Sequence, residues 1–230
     1  MNTVKYPLFK VHTNNELCLE NLERVLKSGF INEGQQVLEL QAQLETYLNN
    51  KNLVLTNSCT SAITLALKIC GVGPGDEVLT TAMTCVATNT PILNLGGHPV
   101  WVDIDVATGS ISPKDLESKI TSKTKAIIIV DWAGTPCDLD EIVKIGEKYS
   151  IKIIQDAAHA FAAKWKGESI DRWTDFTCYS FQAIKHFTTG DGGALVCKSN
   201  EDFRLAKKLK WFGYDRDLVK DEKGNWKGQK

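Results

Sequence analysis

The chain has 230 residues and a formal net charge of −1. That length can bury one sizeable core, and the balanced charge gives no basic footprint for nucleic acid. Hydrophobic residues make up 43% and charged residues 24%, an ordinary globular composition, and no apolar run is long enough to span a bilayer.

Residues 14–28 predict a helix, with Leu17, Leu22, Val25 and Leu26 near helical spacing and Gly29 after its end. Residues 35–48 predict a second, with Val37, Leu40, Leu44, Tyr47 and Leu48 on one side. From Asn52 the rhythm changes. A short apolar strand, NLVLTN, precedes a helix over TSAITLALKICG that stops at Gly71. A strand over DEVLTT, a helix over 86–95 and a strand over PVWVDID follow. Ser112 and Pro113 open the helix SPKDLESKI as N-cap and first helical residue. Next come the strand KAIIIVDW, the helix DLDEIVKIGEKYS and the strand IKIIQDA. Beyond Asp156 the strands TCYSF and GGALVC are shorter and read as hairpin-like or mixed additions, before a last helix over 200–211.

Strands alternate with helices, and AIIIV and IKII are continuously apolar. Such strands are buried on both faces, so the fold class is α/β: a mostly parallel central sheet between helical layers. Ligands on such sheets gather outside the carboxyl ends of the strands. One domain is expected over 1–230: a helical segment over 1–50, an α/β core over 51–212 and a polar tail over 213–230. The stretch GVGPGD, residues 71–76, looks like a nucleotide-binding glycine motif. It follows a helix and precedes a strand, the reverse of a dinucleotide loop, and reads as a helix stop and turn.

Seven cysteines (Cys18, Cys59, Cys70, Cys85, Cys137, Cys178 and Cys197) are scattered, with no C-x-x-C pair. Neither a metal site nor a disulfide framework is expected. The opening residues, Met1-Asn2-Thr3-Val4-Lys5-Tyr6, lack the apolar core of a signal peptide, and a cytoplasmic protein without membrane partners is expected.

Three segments fall where strand ends should meet. NSCTSA, residues 57–62, offers hydroxyls and the free N–H groups of a helix start, a natural phosphate cradle, or an ordinary N-cap. QDAAHA, residues 155–160, closes an apolar strand on Asp156 and carries His159. That carboxylate can hold a heteroaromatic N–H, or cap the next turn. SFQAIKHFTTGDGG, residues 180–193, carries Ser180 and places Lys185 behind a largely apolar run, as a strand-end amine beside a glycine turn. A phosphate cradle, an acid for a pyridine nitrogen and a lysine amine are together the contacts that pyridoxal phosphate needs.

These stretches, with SGFINEGQQVLELQ, the run from NSCTSA to DEVLTT, GGHPVWVDIDVATGSISPKDLESKI and DWAGTPCDLDEI, resemble the DegT/DnrJ/EryC1/StrS sugar aminotransferase family along nearly the whole chain. TCVATN, DWAGTPCDLD and FQAIKH are similar to its perosamine-synthetase-like branch. The resemblance implies the fold-type-I pyridoxal phosphate architecture. It implies that Lys185 forms a Schiff base with the cofactor and shuttles a proton, and that Asp156 holds the pyridine nitrogen. It places His159 near the phenolic oxygen, and Ser180, Thr60 and Ser61 on the phosphate. Cys85 stands where many relatives carry an aromatic residue stacked on the ring. Implied substrates are glutamate, as amino donor, and a nucleotide-linked keto-sugar, and the implied assembly is a homodimer.

Relatives continue past this length with a smaller C-terminal part. A catalytically silent or regulatory domain is therefore the alternative expectation from another class. Sugar 3-dehydratases of the family replace the Schiff-base lysine with histidine. Here that position is Lys185 and the histidine, His186, comes next, which favours amino transfer.

Overall fold

The computed structural model describes residues 10–11 and 13–215. The expected tail lies mostly outside them. Helix α1 (Asn15–Ser28) starts where the Asn14 side chain accepts from Leu17 N–H, and stops at Gly29 in the left-handed conformation. Helix α2 (Gln35–Leu48) turns Leu44 and Leu48 into the core. Then strands and helices alternate: β1 (Leu53–Thr56), α3 (Cys59–Ile69), β2 (Glu77–Thr81), α4 (Val86–Asn94), β3 (His98–Val102), α5 (Pro113–Ser118), β4 (Thr124–Val130), α6 (Leu139–Tyr149) and β5 (Lys152–Asp156). A two-residue ribbon, β6 (Lys164–Trp165) with β7 (Glu168–Ser169), precedes β8 (Phe176–Ser180), β9 (Gly193–Cys197) and α7 (Asn200–Lys210).

The main sheet has the order β1-β9-β8-β5-β4-β2-β3. Strands β3, β2, β4, β5 and β8 are parallel, and β9 runs against both β8 and β1. Among the seven, only β9 is reversed, so the tips of β1, β2, β4, β5 and β8 share one edge. The β8–β9 pair is the hairpin-like addition that the short apolar stretches suggested.

Strand alternation divides the core in two. Ile127, Ile129, Ile153 and Tyr179 pack with Leu44 and Leu48 of α2 and Leu139, Ile142 and Ile145 of α6. Ala126, Ile128, Ile154, Phe176 and Cys178 pack on the other face with Ala62, Ile63 and Ala66 of α3, Ile92 of α4 and Ala206 of α7. This is the three-layer α/β/α arrangement. The same alternation sends Asp156, two beyond Ile154, and Ser180, two beyond Cys178, toward α3 and α4.

Polar groups on the opposite face make a separate chain. Gln155 Nε2 donates to Asp131 Oδ2 at 2.7 Å, and Thr174 Oγ1 donates to Gln155 Oε1 at 3.1 Å. Burial pushes the Asp131 carboxyl up to about 7, against hydrogen bonds from Cys137 and Gln155 that pull it down.

Candidate active site

The shared edge holds a cavity of about 390 Å³. Its lining takes one piece from each neighbouring tip: Ser58, Cys59 and Thr60 after β1; Thr84, Cys85 and Thr88 after β2; Trp132 after β4; Asp156 at the end of β5 and His159 beyond it; Ser180 at the end of β8, with Gln182 and Lys185 beyond it. Six of the seven residues singled out in the sequence are therefore brought together: Thr60, Cys85, Asp156, His159, Ser180 and Lys185.

Ser61 is the exception. Its hydroxyl donates to Asn57 Oδ1 at 2.5 Å and accepts from Ser58 Oγ at 3.1 Å, outside the cavity lining. Ser58 takes the cavity position instead. It is the N-cap of α3, and its Oγ accepts from Ser61 N–H. The first N–H groups of α3, at Cys59 and Thr60, have no partner in the helical ladder and face the same end. Side-chain hydroxyls and a helix N-terminus together favour an anion.

Close approach of strand and helix fixes this corner. A Cβ on Gly193 would lie 2.5 Å from Cys59 N and 2.7 Å from Ser58 O. Only glycine lets β9 pass so near the start of α3. Gly193→Ala is expected to force the two apart and to cost about 1–3 kcal/mol of stability, measured by urea denaturation. An unchanged midpoint would show that the corner yields freely.

Asp156 is 6% exposed and closes β5. Its Oδ1 accepts from Ala158 N–H at 3.1 Å, and its Oδ2 accepts from Thr88 Oγ1 at 2.6 Å. Cys59 Sγ lies 3.7 Å from Oδ1. Burial, and then the Asp156 charge, push the Cys59 thiol well up, so it stays protonated as a weak donor.

His159 stands beside Trp132, ring centroids 5.6 Å apart at 53°. Burial and then the Lys185 ammonium lower its pKa, so the imidazole is neutral at neutral pH. Gly134, at φ +88, passes under the His159 carbonyl, where a Cβ would come within 2.8 Å of the oxygen.

Lys185 does not sit at a strand end. Strand β8 stops at Ser180, which is 8% exposed, and the half-buried lysine lies in the loop over 181–192. The loop is clamped at its base. Ser180 pairs with Gly193, Phe181 N–H donates to Gly192 O at 2.9 Å, and Thr189 N–H donates to Phe181 O at 3.0 Å. Phe181 and Phe187 stack 4.5 Å apart beneath it.

Sequence reasoning included Ser58 only as one hydroxyl of NSCTSA, and gave Thr88 and Trp132 no role. The N-cap pattern S-x-x-S at 58–61 could have singled out Ser58. Nothing in the sequence ties Thr88 to a carboxylate 68 positions away.

The chain is 39% identical over 203 residues to an uncharacterised protein, MJ1066, of Methanocaldococcus jannaschii, covering 87% of this chain and 53% of that protein. It is 36% identical over 192 residues to the spore coat polysaccharide biosynthesis protein SpsC of Bacillus subtilis, covering 84% of this chain and 49% of the relative. It thus spans about half the length of these curated relatives. Among solved structures, the putative sugar aminotransferase Spr1654 from Streptococcus pneumoniae, in its PLP form, superposes with a TM-score of 0.83 at 35% identity, covering 89% of this chain and 57% of that one. The family profile covers residues 12–229, including every segment that lines the cavity. The chain belongs to the DegT/DnrJ/EryC1/StrS aminotransferase family.

Proposed function

We propose that this chain is the cofactor-binding part of a pyridoxal-phosphate-dependent sugar aminotransferase, which moves an amino group from glutamate to a keto carbon of a nucleotide-linked sugar. The observation that carries the proposal is a single cavity lined at once by an amine, a buried carboxylate, an imidazole and a hydroxyl-rich helix start.

The donor set fits the cofactor part by part. Ser58, Thr60, Ser180 and the free N–H groups of α3 suit a phosphate. The Asp156 carboxylate suits a protonated ring nitrogen, and Lys185 suits an aldehyde. Bound there, pyridoxal phosphate supplies a carbonyl that exchanges amino groups and a ring that withdraws electrons from the substrate carbon.

The chain's own residues would do the rest. The Lys185 amine would hold the cofactor's aldehyde and would move a proton at the substrate carbon. Asp156 would keep the ring nitrogen protonated through a charge-assisted hydrogen bond. Neutral His159 would donate toward the ring's oxygen, and Cys85, on the cavity wall, would take the position where relatives of the family stack an aromatic ring. Ser61 would act through Ser58, whose hydroxyl it holds.

The polysaccharide role in SpsC's name and the sugar aminotransferase structure support a sugar substrate. Helix α1 carries Leu17, Leu19, Leu22 and Leu26 exposed, which supports a homodimer. No described helix is long and apolar enough to cross a membrane, which suits a cytoplasmic enzyme.

The test is to load the purified chain with pyridoxal phosphate and offer it 15N-glutamate with a panel of keto-sugar nucleotides. The expected result is 15N in the amine of at least one sugar product. Cofactor bound without transfer to any sugar would leave this chain a silent domain of the same fold.

A further inference from the structure

Asp156 is gripped on both oxygens, and the grips differ. Oδ1 accepts from Ala158 N–H at 3.1 Å and has Cys59 Sγ against it at 3.7 Å. Oδ2 accepts from Thr88 Oγ1 at 2.6 Å, and Thr88 Oγ1 is also 2.7 Å from Thr84 Oγ1. A hydroxyl has one proton and two lone pairs. Thr88 gives its proton to the carboxylate, because the charge-assisted bond is the stronger of the two. It therefore accepts from Thr84. Donation runs in one direction, from Thr84 to Thr88 to Asp156.

An ionised carboxylate has about four lone-pair sites, two on each oxygen. At Oδ1 one site takes the Ala158 N–H. The Cys59 sulfur stands against the same oxygen at 3.7 Å, even when its proton turns to the Cys178 carbonyl at 3.6 Å. At Oδ2 Thr88 fills one site, and among the described residues none takes the other.

We propose that the Thr84–Thr88 hydroxyl relay is a positioning device, which locks the Asp156 carboxylate so that the open lone pair of Oδ2 meets the protonated ring nitrogen of the cofactor. The inference rests on the cofactor reading above and names the residues that make Asp156 competent for it. Thr88 lies in the first turn of α4 and Thr84 in the bend just before its N-cap, Cys85, and both line the cavity. Thr88 is 1% exposed, so solvent does not substitute for its hydroxyl. Without that hydroxyl the carboxylate can turn about its terminal torsion, whose wells are broad.

The test uses Thr88→Val, Thr88→Ser and Thr84→Val in the 230-residue chain, with two readouts. In the protein without cofactor, isotope-edited infrared spectroscopy on 13C-aspartate follows the Asp156 carboxylate band, assigned by its loss in Asp156→Asn. With cofactor, 15N-labelled pyridoxal phosphate reports the ring-nitrogen shift and the dissociation constant.

Thr88→Val is expected to move the carboxylate band, to shift the ring nitrogen toward its unprotonated position and to weaken cofactor binding about tenfold. Thr88→Ser restores all three. Thr84→Val moves the band and the nitrogen signal in the same direction by less. Unmoved signals in both valine variants overturn the proposal. So does a serine variant as altered as the valine one, because the methyl group would then matter rather than the hydroxyl. Should Thr88→Val fail to fold, Thr84→Val and Thr88→Ser still decide. Should no variant and no wild-type protein bind the cofactor, the cofactor reading fails, while the infrared band alone decides the relay.

Discussion

Lys185→Ala is expected to abolish both the visible absorbance of the cofactor-loaded protein and the covalent label left by borohydride reduction. Amino transfer should fall by about 10²–10⁴-fold or more, the usual size of a lost acid–base group. The argument is one of access. Among the described residues lining the cavity, Lys185 is the one lysine, so no second amine stands ready to take its place. Its fold role is small. The residue is half-buried in a loop, and the bond from its own N–H to Gln182 O, at 2.9 Å, survives truncation of the side chain. The variant should therefore unfold at nearly the wild-type denaturant concentration. Peptide mapping of the reduced wild-type protein should find the label on Lys185, and a label on any other lysine would overturn the assignment.

Asp156→Asn should leave the cofactor bound, through the hydroxyl cradle and Lys185, yet slow single-turnover amino transfer from glutamate by about 10²–10³-fold, as when one preorganised electrostatic contact is removed. Asparagine keeps the shape and loses the charge that, on the proposed reading, would hold a proton on the ring nitrogen. It also disturbs its neighbours. Thr88 Oγ1 and Ala158 N–H donate to opposite oxygens, and an amide has only one oxygen to offer. One donor must then face an NH2 group, which costs about 1–3 kcal/mol in a buried setting. Rate and stability should thus fall together. A rate equal to wild type would remove Asp156 from the chemistry.

The element order was legible because long periodic segments carry it. Helix α2 falls on residues 35–48 as expected, and strand β4 is a run of buried β-branched residues that little else could accommodate. The ribbon β6–β7 escaped because two residues per strand show no periodicity. The reversed direction of β9 was only hinted at, since GALVC is buried throughout and buried strands of either direction read alike. In the site, Asp156 was legible as the polar end of an apolar strand. Lys185 was assigned to a strand terminus because the apolar run through Ile184 looks continuous. In the structure Phe181 goes under the loop onto Phe187, while Ile184 lines the cavity. Thr88 was invisible for a different reason. Its meaning comes from a partner at the end of β5, and a threonine inside a short helix carries no mark of that.

The clamped loop that carries Lys185 has a further consequence. The Lys185 amine rides on a short tether whose two posts are hydrogen-bonded into the sheet, while the start of α3 and the Asp156 carboxylate are built on the strand-and-helix framework. Reach and recognition are therefore set by separate parts. Lengthening or shortening the tether by a residue would reset how far the amine swings and leave the proposed seat of the phosphate, at the start of α3, where it is.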